Sequence, residues 1–244
     1  MNSQKVAPWK SILSNAMASS NSSKKEPIIG SLATVSSDGA PKVRSVVCRG
    51  FVGEDGLVAT KSKEILSSNI LAFSSHLQSP KISQIKNNPK AEILFWFPKT
   101  AQQFRISGVI DIFKFGESSP VLNLINVTDA LYSPQNLDSG IDKPSAETEN
   151  PILFDSQQLC TSSLEAHSEG LKKWFGGPPP GEALGTTSKS TAEKSNLDNI
   201  KANFCLLLLN PTRVDYCDLR SSPNKRIIYE LNDVNQWRES NVVP

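Results

Sequence analysis

Three clusters of charged, hydroxyl and amide side chains have the residue types that bind a phosphate. They are Arg44 with Arg49, Ser74 and Ser75 with Ser79 and Lys81, and Gln103 with Arg105. Ser79 and Pro80 predict a helix start, because serine is a favoured N-cap and proline fits the first helical turn. The unpaired N–H groups of that turn, with Lys81 and an arginine from a neighbouring strand, would suit a phosphate. The alternative is an ordinary capped helix whose basic side chains are solvated.

The two arginines of the first cluster have an odd separation in the sequence. On a regular strand Arg44 and Arg49 point to opposite faces of the sheet. Both can line one site only if a β-bulge intervenes.

Other kinds of site are not indicated. The sequence has no P-loop, G-x-G-x-x-G turn, G-x-S-x-G elbow or H-E-x-x-H helix. Its four cysteines are far apart without C-x-x-C spacing, and only two histidines could join them: Cys48, Cys160, Cys205 and Cys217, with His76 and His167. We expect no metal site, and we assign no side chain as a catalytic acid, base or nucleophile.

The segment from Ala91 to Phe115 is the predicted centre of the fold, because it reads as two apolar strands joined by a short polar turn. After Gln103 the side chains alternate with the period of a half-buried strand. One face carries Phe104, Ile106, Ile110 and Ile112, and the other carries Gln103, Arg105, Ser107 and Asp111. The polar face is either solvated or meets a polar ligand.

Short strands on both sides of this pair indicate a mainly β, α+β fold. Ile28 to Val35 and Pro41 to Arg49 are predicted to form a hairpin around Asp38-Gly39. Further strands are predicted at Leu57 to Thr60, Ile70 to Phe73, Phe204 to Leu209, Arg213 to Leu219 and Arg226 to Leu231. Such a series is typical of a barrel or a sandwich rather than a parallel sheet.

Helices are predicted to flank these strands. They cover Pro8 to Ser19, the segment from Pro80 to Asn87, Val121 to Leu131, and Leu159 to Phe175. We expect residues 1–244 to form a single domain, because the late strands are too few for a sheet of their own. Two polar excursions, near 133–150 and 176–199, are expected to be mobile.

Charge and hydropathy limit the partners. The 244 residues include 26 Lys and Arg and 24 Asp and Glu, a formal net charge of +2, and the basic residues are scattered. This pattern argues against a nucleic-acid partner. The N-terminal segment lacks the apolar run of a secretory signal, and no segment is apolar enough to span a membrane. We expect a soluble cytoplasmic protein with reduced thiols, with the nucleus as a second location.

The order of these clusters resembles the FMN-binding core of the pyridoxine (pyridoxamine) 5′-phosphate oxidase superfamily. The sequences APWKSIL, FPKTAQQFRISG and VDYCDLR are similar to the eukaryotic and cyanobacterial oxidase-like branch. The similarity spans Ala7 to Gly116 and Phe204 to Pro244. It implies a six-stranded split β-barrel with flanking helices, and a homodimer with FMN at the subunit interface.

The resemblance also implies which residues contact FMN. The matching positions are Arg44, Arg49, Ser74, Ser75, Ser79, Lys81, Gln103 and Arg226. Arg49 stands where the family has a lysine and is also the one matched substrate contact. Pro80 stands where the family has an arginine that binds the phosphate, so we expect FMN binding to be retained but weakened. Cys217 replaces a family tryptophan.

The substrate side departs further from the family. An Arg-x-His element that contacts the substrate is replaced by Ser222, Pro223 and Asn224. The resemblance implies an FMN-dependent oxidoreductase that oxidises pyridoxamine or pyridoxine 5′-phosphate by hydride transfer to FMN, with oxygen as the acceptor. Two alternatives remain open: a flavin reductase or oxidoreductase of another small-molecule substrate, and a non-catalytic flavin-binding dimer.

Overall fold

The computed structural model describes residues 7–20, 27–54, 57, 68–117, 156–183 and 197–244. Within them the strands are β1 Ile28–Val35, β2 Pro41–Phe51, β3 Leu71–His76, β4 Lys90–Phe97, β5 Gln102–Lys114, β6 Phe204–Asp218, β7 Lys225–Leu231 and β8 Trp237–Val242. The helices are α1 Pro8–Ser20, α2 Pro80–Asn87, α3 Ser156–Glu165, α4 Glu169–Phe175 and α5 Leu197–Asn203.

Six of the strands close into an antiparallel barrel. The order β3-β2-β1-β4-β5-β6 is completed by pairing of β3 with β6, and β7 and β8 extend the sheet beyond β6. Leu71 lies opposite Leu209, and His76 lies opposite Phe204. The prediction of a six-stranded split barrel with flanking helices is confirmed.

Strand β6 separates two apolar cores because its two faces are both buried. Cys205, Leu207 and Leu209 belong to the barrel interior. Phe204 and Leu206 belong to a second core on the outer side, together with residues of α3, α4 and α5. The continuous apolar run at the start of β6 therefore follows from helices packing on the outside of the barrel.

Helix α1 packs on the barrel through a fully buried tryptophan. The ring of Trp9 lies 6.2 Å from Phe51 and 5.6 Å from Trp237, centroid to centroid. Lys10, on the same helix, is also buried and reaches Glu54 at 2.6 Å. In the part of the chain that the structure describes, no helix is long and apolar enough to span a membrane.

Several predicted boundaries need correction. The two strands predicted at Phe204 to Leu209 and Arg213 to Leu219 are one continuous strand, β6. The β5–β6 register shifts between Ser107 and Gly108, where Thr212 is an extra residue in β6, and this bulge accommodates Pro211. The helix predicted for Leu159 to Phe175 is two helices, α3 and α4, and the end of the second polar excursion contains the start of α5. Strand β8 was not predicted.

Three other predictions lie wholly or largely outside the described residues. They are the helix at Val121 to Leu131, the excursion near 133–150 and the strand at Leu57 to Thr60, of which only Leu57 is described and is not in a strand.

Gly108 ends the FRISG sequence and lies at the register shift between β5 and β6. A Cβ atom at this position would overlap the carbonyl oxygen of Asn210 and lie 3.0 Å from the Cα of Pro211. Both obstacles are backbone atoms of a paired strand, so they cannot move aside by a side-chain rotation. Glycine is therefore required here for packing.

Gly108→Ala is expected to lower the free energy of unfolding by about 2 kcal/mol or more, because β5 and β6 must separate to admit the methyl group. Urea denaturation of the purified protein measures this loss. Gly170→Ala is the matched control, since no atom lies within 4 Å of a Cβ at Gly170, and it should leave stability unchanged or slightly higher. Equal midpoints for the two variants would contradict the packing argument.

Candidate functional site

A lysine and two serines meet between β3 and the start of α2. Lys81 Nζ lies 2.9 Å from Ser79 Oγ and 3.1 Å from Ser75 Oγ. The two serine oxygens are 3.5 Å apart, and both serines are only 4% exposed. We call Ser75, Ser79 and Lys81 the serine–lysine cluster. It groups one ammonium and two hydroxyls, all of which can donate to a phosphate oxygen.

The start of α2 agrees with the prediction, but its serine acts differently from an ordinary cap. Ser79 is the N-cap residue with extended backbone, and Pro80 occupies the first turn. The Ser79 side chain makes no capping hydrogen bond and instead contacts Lys81. The helix ends at Asn88, whose N–H donates to Gln84 O.

Arg49 on β2 contacts Ser74, the residue before Ser75 in β3. Its Nε donates to Ser74 Oγ at 2.8 Å. The β2–β3 register shifts between Cys48 and Gly50, which places Arg49 at an irregularity of the strand. A β-bulge is therefore present at Arg49, but in the described part of the chain no contact joins Arg49 to Arg44 or to the serine–lysine cluster.

Arg44 lies at the other side of the cluster and ties three elements together. Its guanidinium donates to Thr34 Oγ1 at 2.6 Å and to Gln84 Oε1 at 2.8 Å. Arg44 also lowers the pKa of Lys81 through its charge. The structure therefore brings Arg44 close to Lys81, although its side chain is held by β1 and α2.

Positive charge accumulates in this region without a compensating carboxylate. Burial lowers the pKa of Lys81, and the charge of Arg44 lowers it further. Burial also lowers the pKa of Arg44 and of Arg49. Among the residues that the structure describes, no acidic side chain pairs with these three cations. An anionic ligand beside Lys81 and Arg44 would stabilise the charged forms of both.

The remaining predicted residues form a separate row on the sheet. Gln103 pairs with Trp96 on β4 and with Cys217 on β6, and Cys217 pairs with Arg226 on β7. Directly opposed residues share a face of the sheet, so these four side chains lie on one surface. No described contact joins this row to the serine–lysine cluster.

Arg226 is held in place by a buried carboxylate that the sequence did not reveal as part of the site. Its Nε and Nη2 donate to the two oxygens of Asp215 at 2.9 and 2.8 Å. Arg105 Nη2 reaches the same carboxylate at 3.0 Å, so this arginine is ion-paired. The hydrogen bond from Arg226 holds the pKa of Asp215 below its ordinary value.

A histidine in the second half of the chain also reaches the site. His167 Nε2 lies 2.8 Å from Ser74 Oγ, although the two residues are 93 positions apart in sequence. His167 follows α3 in a segment that shows no local motif, so only the tertiary structure reveals this contact.

Metal and thiol chemistry receive no support in the described ranges. No group of three or more His, Cys, Asp or Glu side chains there could hold a metal ion. Burial raises the pKa of the Cys160 and Cys205 thiols to about 12, so both stay protonated and unreactive.

Comparison with known proteins gives the site its context. Residues 6–114 match the family model described as the FMN-binding domain of pyridoxamine 5′-phosphate oxidase. This segment contains the serine–lysine cluster, Arg44, Arg49 and Gln103, whereas His167 and Arg226 lie outside it.

Two relatives match the chain, one over nearly its whole length and one over about a third of it. A pyridoxine/pyridoxamine 5′-phosphate oxidase 2 of Arabidopsis thaliana is 27% identical over 227 residues, which are 92% of this chain and 88% of that protein. A pyridoxine/pyridoxamine 5′-phosphate oxidase of Rhodopseudomonas palustris is 36% identical over 89 residues, which are 36% of this chain and 35% of that protein.

A solved structure agrees with the fold. The crystal structure of a pyridoxamine 5′-phosphate oxidase-related, FMN-binding protein from Nostoc punctiforme superposes with a TM-score of 0.69 and 28% identity, covering 98% of this chain and 99% of that one. The matched domain, the Arabidopsis relative and this structure therefore agree that the chain is similar to the pyridoxamine 5′-phosphate oxidase-like, FMN-binding proteins.

Proposed function

We propose that this protein is an FMN-dependent oxidoreductase that oxidises pyridoxamine or pyridoxine 5′-phosphate. The observation that carries the proposal is the pair of cations Lys81 and Arg44 beside the buried hydroxyls of Ser75 and Ser79, which has no acidic partner in the described part of the chain. It lies within the domain that matches the FMN-binding family model.

The residues present fit a flavin phosphate. Lys81 supplies a charged donor, and Ser75 and Ser79 supply hydroxyls directed toward it. Proline at position 80 removes both the family's clamp arginine and one N–H of the helix start. The cluster therefore retains enough donors to bind the phosphate, with one strong bidentate donor fewer than the family provides.

The protein's own part in the reaction is binding and orientation. When bound, FMN supplies the redox chemistry by accepting a hydride from the substrate and returning electrons to oxygen. Gln103 and the Arg226–Asp215 pair lie on one surface and would orient the flavin ring. Arg49 would contact both flavin and substrate. No side chain is assigned as a general acid or base.

The residues on the expected substrate side support a second candidate function, with a different substrate. The relatives from Arabidopsis and Rhodopseudomonas are named for pyridoxine and pyridoxamine 5′-phosphate. In this chain the residues Ser222, Pro223 and Asn224, which stand where the family's Arg-x-His element is expected, are exposed and carry neither charge nor imidazole. This favours an FMN-dependent oxidoreductase or flavin reductase with another substrate as the alternative, followed by a non-catalytic flavin-binding dimer.

A homodimer is part of the proposal, because one outer surface of the barrel is apolar and uncovered. Ile29, Val43, Leu94 and Trp96 on β1, β2 and β4 are 55%, 71%, 36% and 47% exposed. They lie on the outward-facing positions of neighbouring strands, and Trp96 pairs directly with Gln103. A second copy covering this surface would bury the apolar side chains beside the proposed flavin contact.

The activity is tested with purified protein loaded with FMN and supplied with pyridoxamine 5′-phosphate and oxygen. Formation of pyridoxal 5′-phosphate with consumption of oxygen is expected. If the protein binds flavin and oxidises a nicotinamide cofactor but forms no pyridoxal 5′-phosphate, it is a flavin reductase and not an oxidase of pyridoxamine 5′-phosphate. Bound flavin with no turnover in either assay would favour the non-catalytic dimer.

Lys81→Ala is expected to weaken FMN binding about 10- to 100-fold, because it removes a charged donor to the phosphate. Quenching of flavin fluorescence on titration with the protein gives the dissociation constant. Lys86→Ala is the matched control, because Lys86 is exposed in the last turn of the same helix. Equal affinities of the two variants would contradict the role of Lys81.

Trp96→Glu is expected to convert the dimer to a monomer, because it places a charge in the apolar surface that the second copy would cover. Light scattering after size-exclusion chromatography measures the mass. Val234→Glu is the control, since Val234 is 70% exposed in the turn before β8, away from this surface. A Trp96→Glu variant that keeps the mass of a dimer would show that another surface forms the interface.

A further inference from the structure

His167 occupies a buried position between the helical layer and the barrel. It follows α3 and precedes α4, and it is 5% exposed. Its ring meets Phe175 and Phe204 edge to face, at centroid distances of 5.6 and 5.7 Å. The imidazole is therefore packed between two aromatic rings.

The hydrogen bonds of the imidazole define which nitrogen carries the proton. His167 Nδ1 lies 2.6 Å from the carbonyl oxygen of Ser163, which can only accept. Nδ1 is then the protonated nitrogen, and Nε2 is left as an acceptor. Burial, with the charges of Arg49 and Lys172, lowers the pKa of His167 to about 4, so the ring is neutral near pH 7.

The acceptor nitrogen determines the direction of the next hydrogen bond. Ser74 Oγ is 2.8 Å from His167 Nε2 and must donate its single hydroxyl proton to it. The lone pairs of Ser74 Oγ then face Arg49, whose Nε donates to it at 2.8 Å. A directed chain runs from Arg49 through Ser74 and His167 to the Ser163 carbonyl.

We propose that His167 is a positioning residue for the flavin site, which orients Arg49 through the hydroxyl of Ser74. This rests on the proposed function, in which Arg49 contacts the flavin. The hydrogen bond uses Nε of Arg49 and leaves its two terminal nitrogens for a ligand. Among the described residues no carboxylate holds Arg49, so Ser74 is the side chain that restrains it.

The consequence is that a residue outside the matched domain, at residues 6–114, completes the site. His167 belongs to the helical layer, and the pairing of Ser74 with Leu206 places the serine on the barrel face that this layer covers. The α3–α4 segment therefore has a role in ligand binding besides covering the second core.

A double-mutant cycle on FMN affinity tests this role. His167→Phe and Ser74→Ala are each expected to weaken FMN binding about fivefold, since each releases Arg49 from one hydrogen-bonded orientation. The double variant should bind FMN about as tightly as the single variant with the lower affinity. The reason is that both changes interrupt the same chain of hydrogen bonds. His167→Gln, which restores an acceptor, should recover part of the affinity.

Phe175→Leu is the matched control. Phe175 packs on His167 but has no polar atom to offer Ser74, so this change should lower stability and leave FMN affinity unchanged. If His167 had a purely structural role, Phe175→Leu and His167→Phe would change FMN affinity equally. Alternatively, the losses of affinity from His167→Phe and Ser74→Ala would multiply in the double variant. Either result would overturn the proposal.

Two further outcomes separate this proposal from the proposed function. Ser74→Ala removes only a half-buried hydroxyl. If this variant binds FMN as tightly as the wild type, the positioning role is overturned, even if His167→Phe fails to fold. If the wild-type protein binds FMN and Lys81→Ala weakens it, the flavin site stands whatever the cycle shows. A wild-type protein that binds no FMN would overturn both.

Discussion

The pairing of β3 with β6 is the interaction on which the rest of the structure depends. It closes the barrel along the register from Leu71 opposite Leu209 to His76 opposite Phe204. Because successive side chains of a strand point to opposite faces, closure places Ser75 with Cys205 on the interior face and Ser74 with Leu206 on the outer face. One pair of neighbouring serines thus connects the inside of the barrel to the helical layer.

The charges near these serines depend on the same closure. Lys81 is carried by the helix that follows β3 directly, and Arg49 lies at the bulge where β2 pairs with β3. Holding several desolvated cations together without a carboxylate costs free energy. A bound phosphate would offset that cost, which is a physical reason for an anion site here rather than an ordinary helix cap.

Much of this arrangement could be predicted from local pattern. The start of α2 at Ser79-Pro80 and the alternation after Gln103 both depend on neighbouring residues, and the structure confirms them. Whether a β-bulge forms near Arg49, and the continuity of β6 through Pro211, could not be predicted, because each depends on how a partner strand is spaced. Local signals specify elements well and strand irregularities poorly.

The parts of the site that come from distant segments were also beyond prediction. His167 reaches Ser74 from a segment without a recognisable motif, and Asp215 was only one polar residue in an alternating strand. A buried carboxylate between Arg226 and Arg105 becomes evident only when β5, β6 and β7 are in register. Such contacts depend on tertiary structure, and sequence spacing does not encode them.

The central claim is that the serine–lysine cluster of Ser75, Ser79 and Lys81, with Arg44 close to it, binds the phosphate of a flavin. The most direct test is to titrate the purified wild-type protein with FMN and with riboflavin, which has the same ring system but no phosphate. The account predicts that FMN binds at least about 100-fold more tightly than riboflavin. Equal affinities for the two flavins would contradict it, because the cationic group would then contribute nothing to recognition.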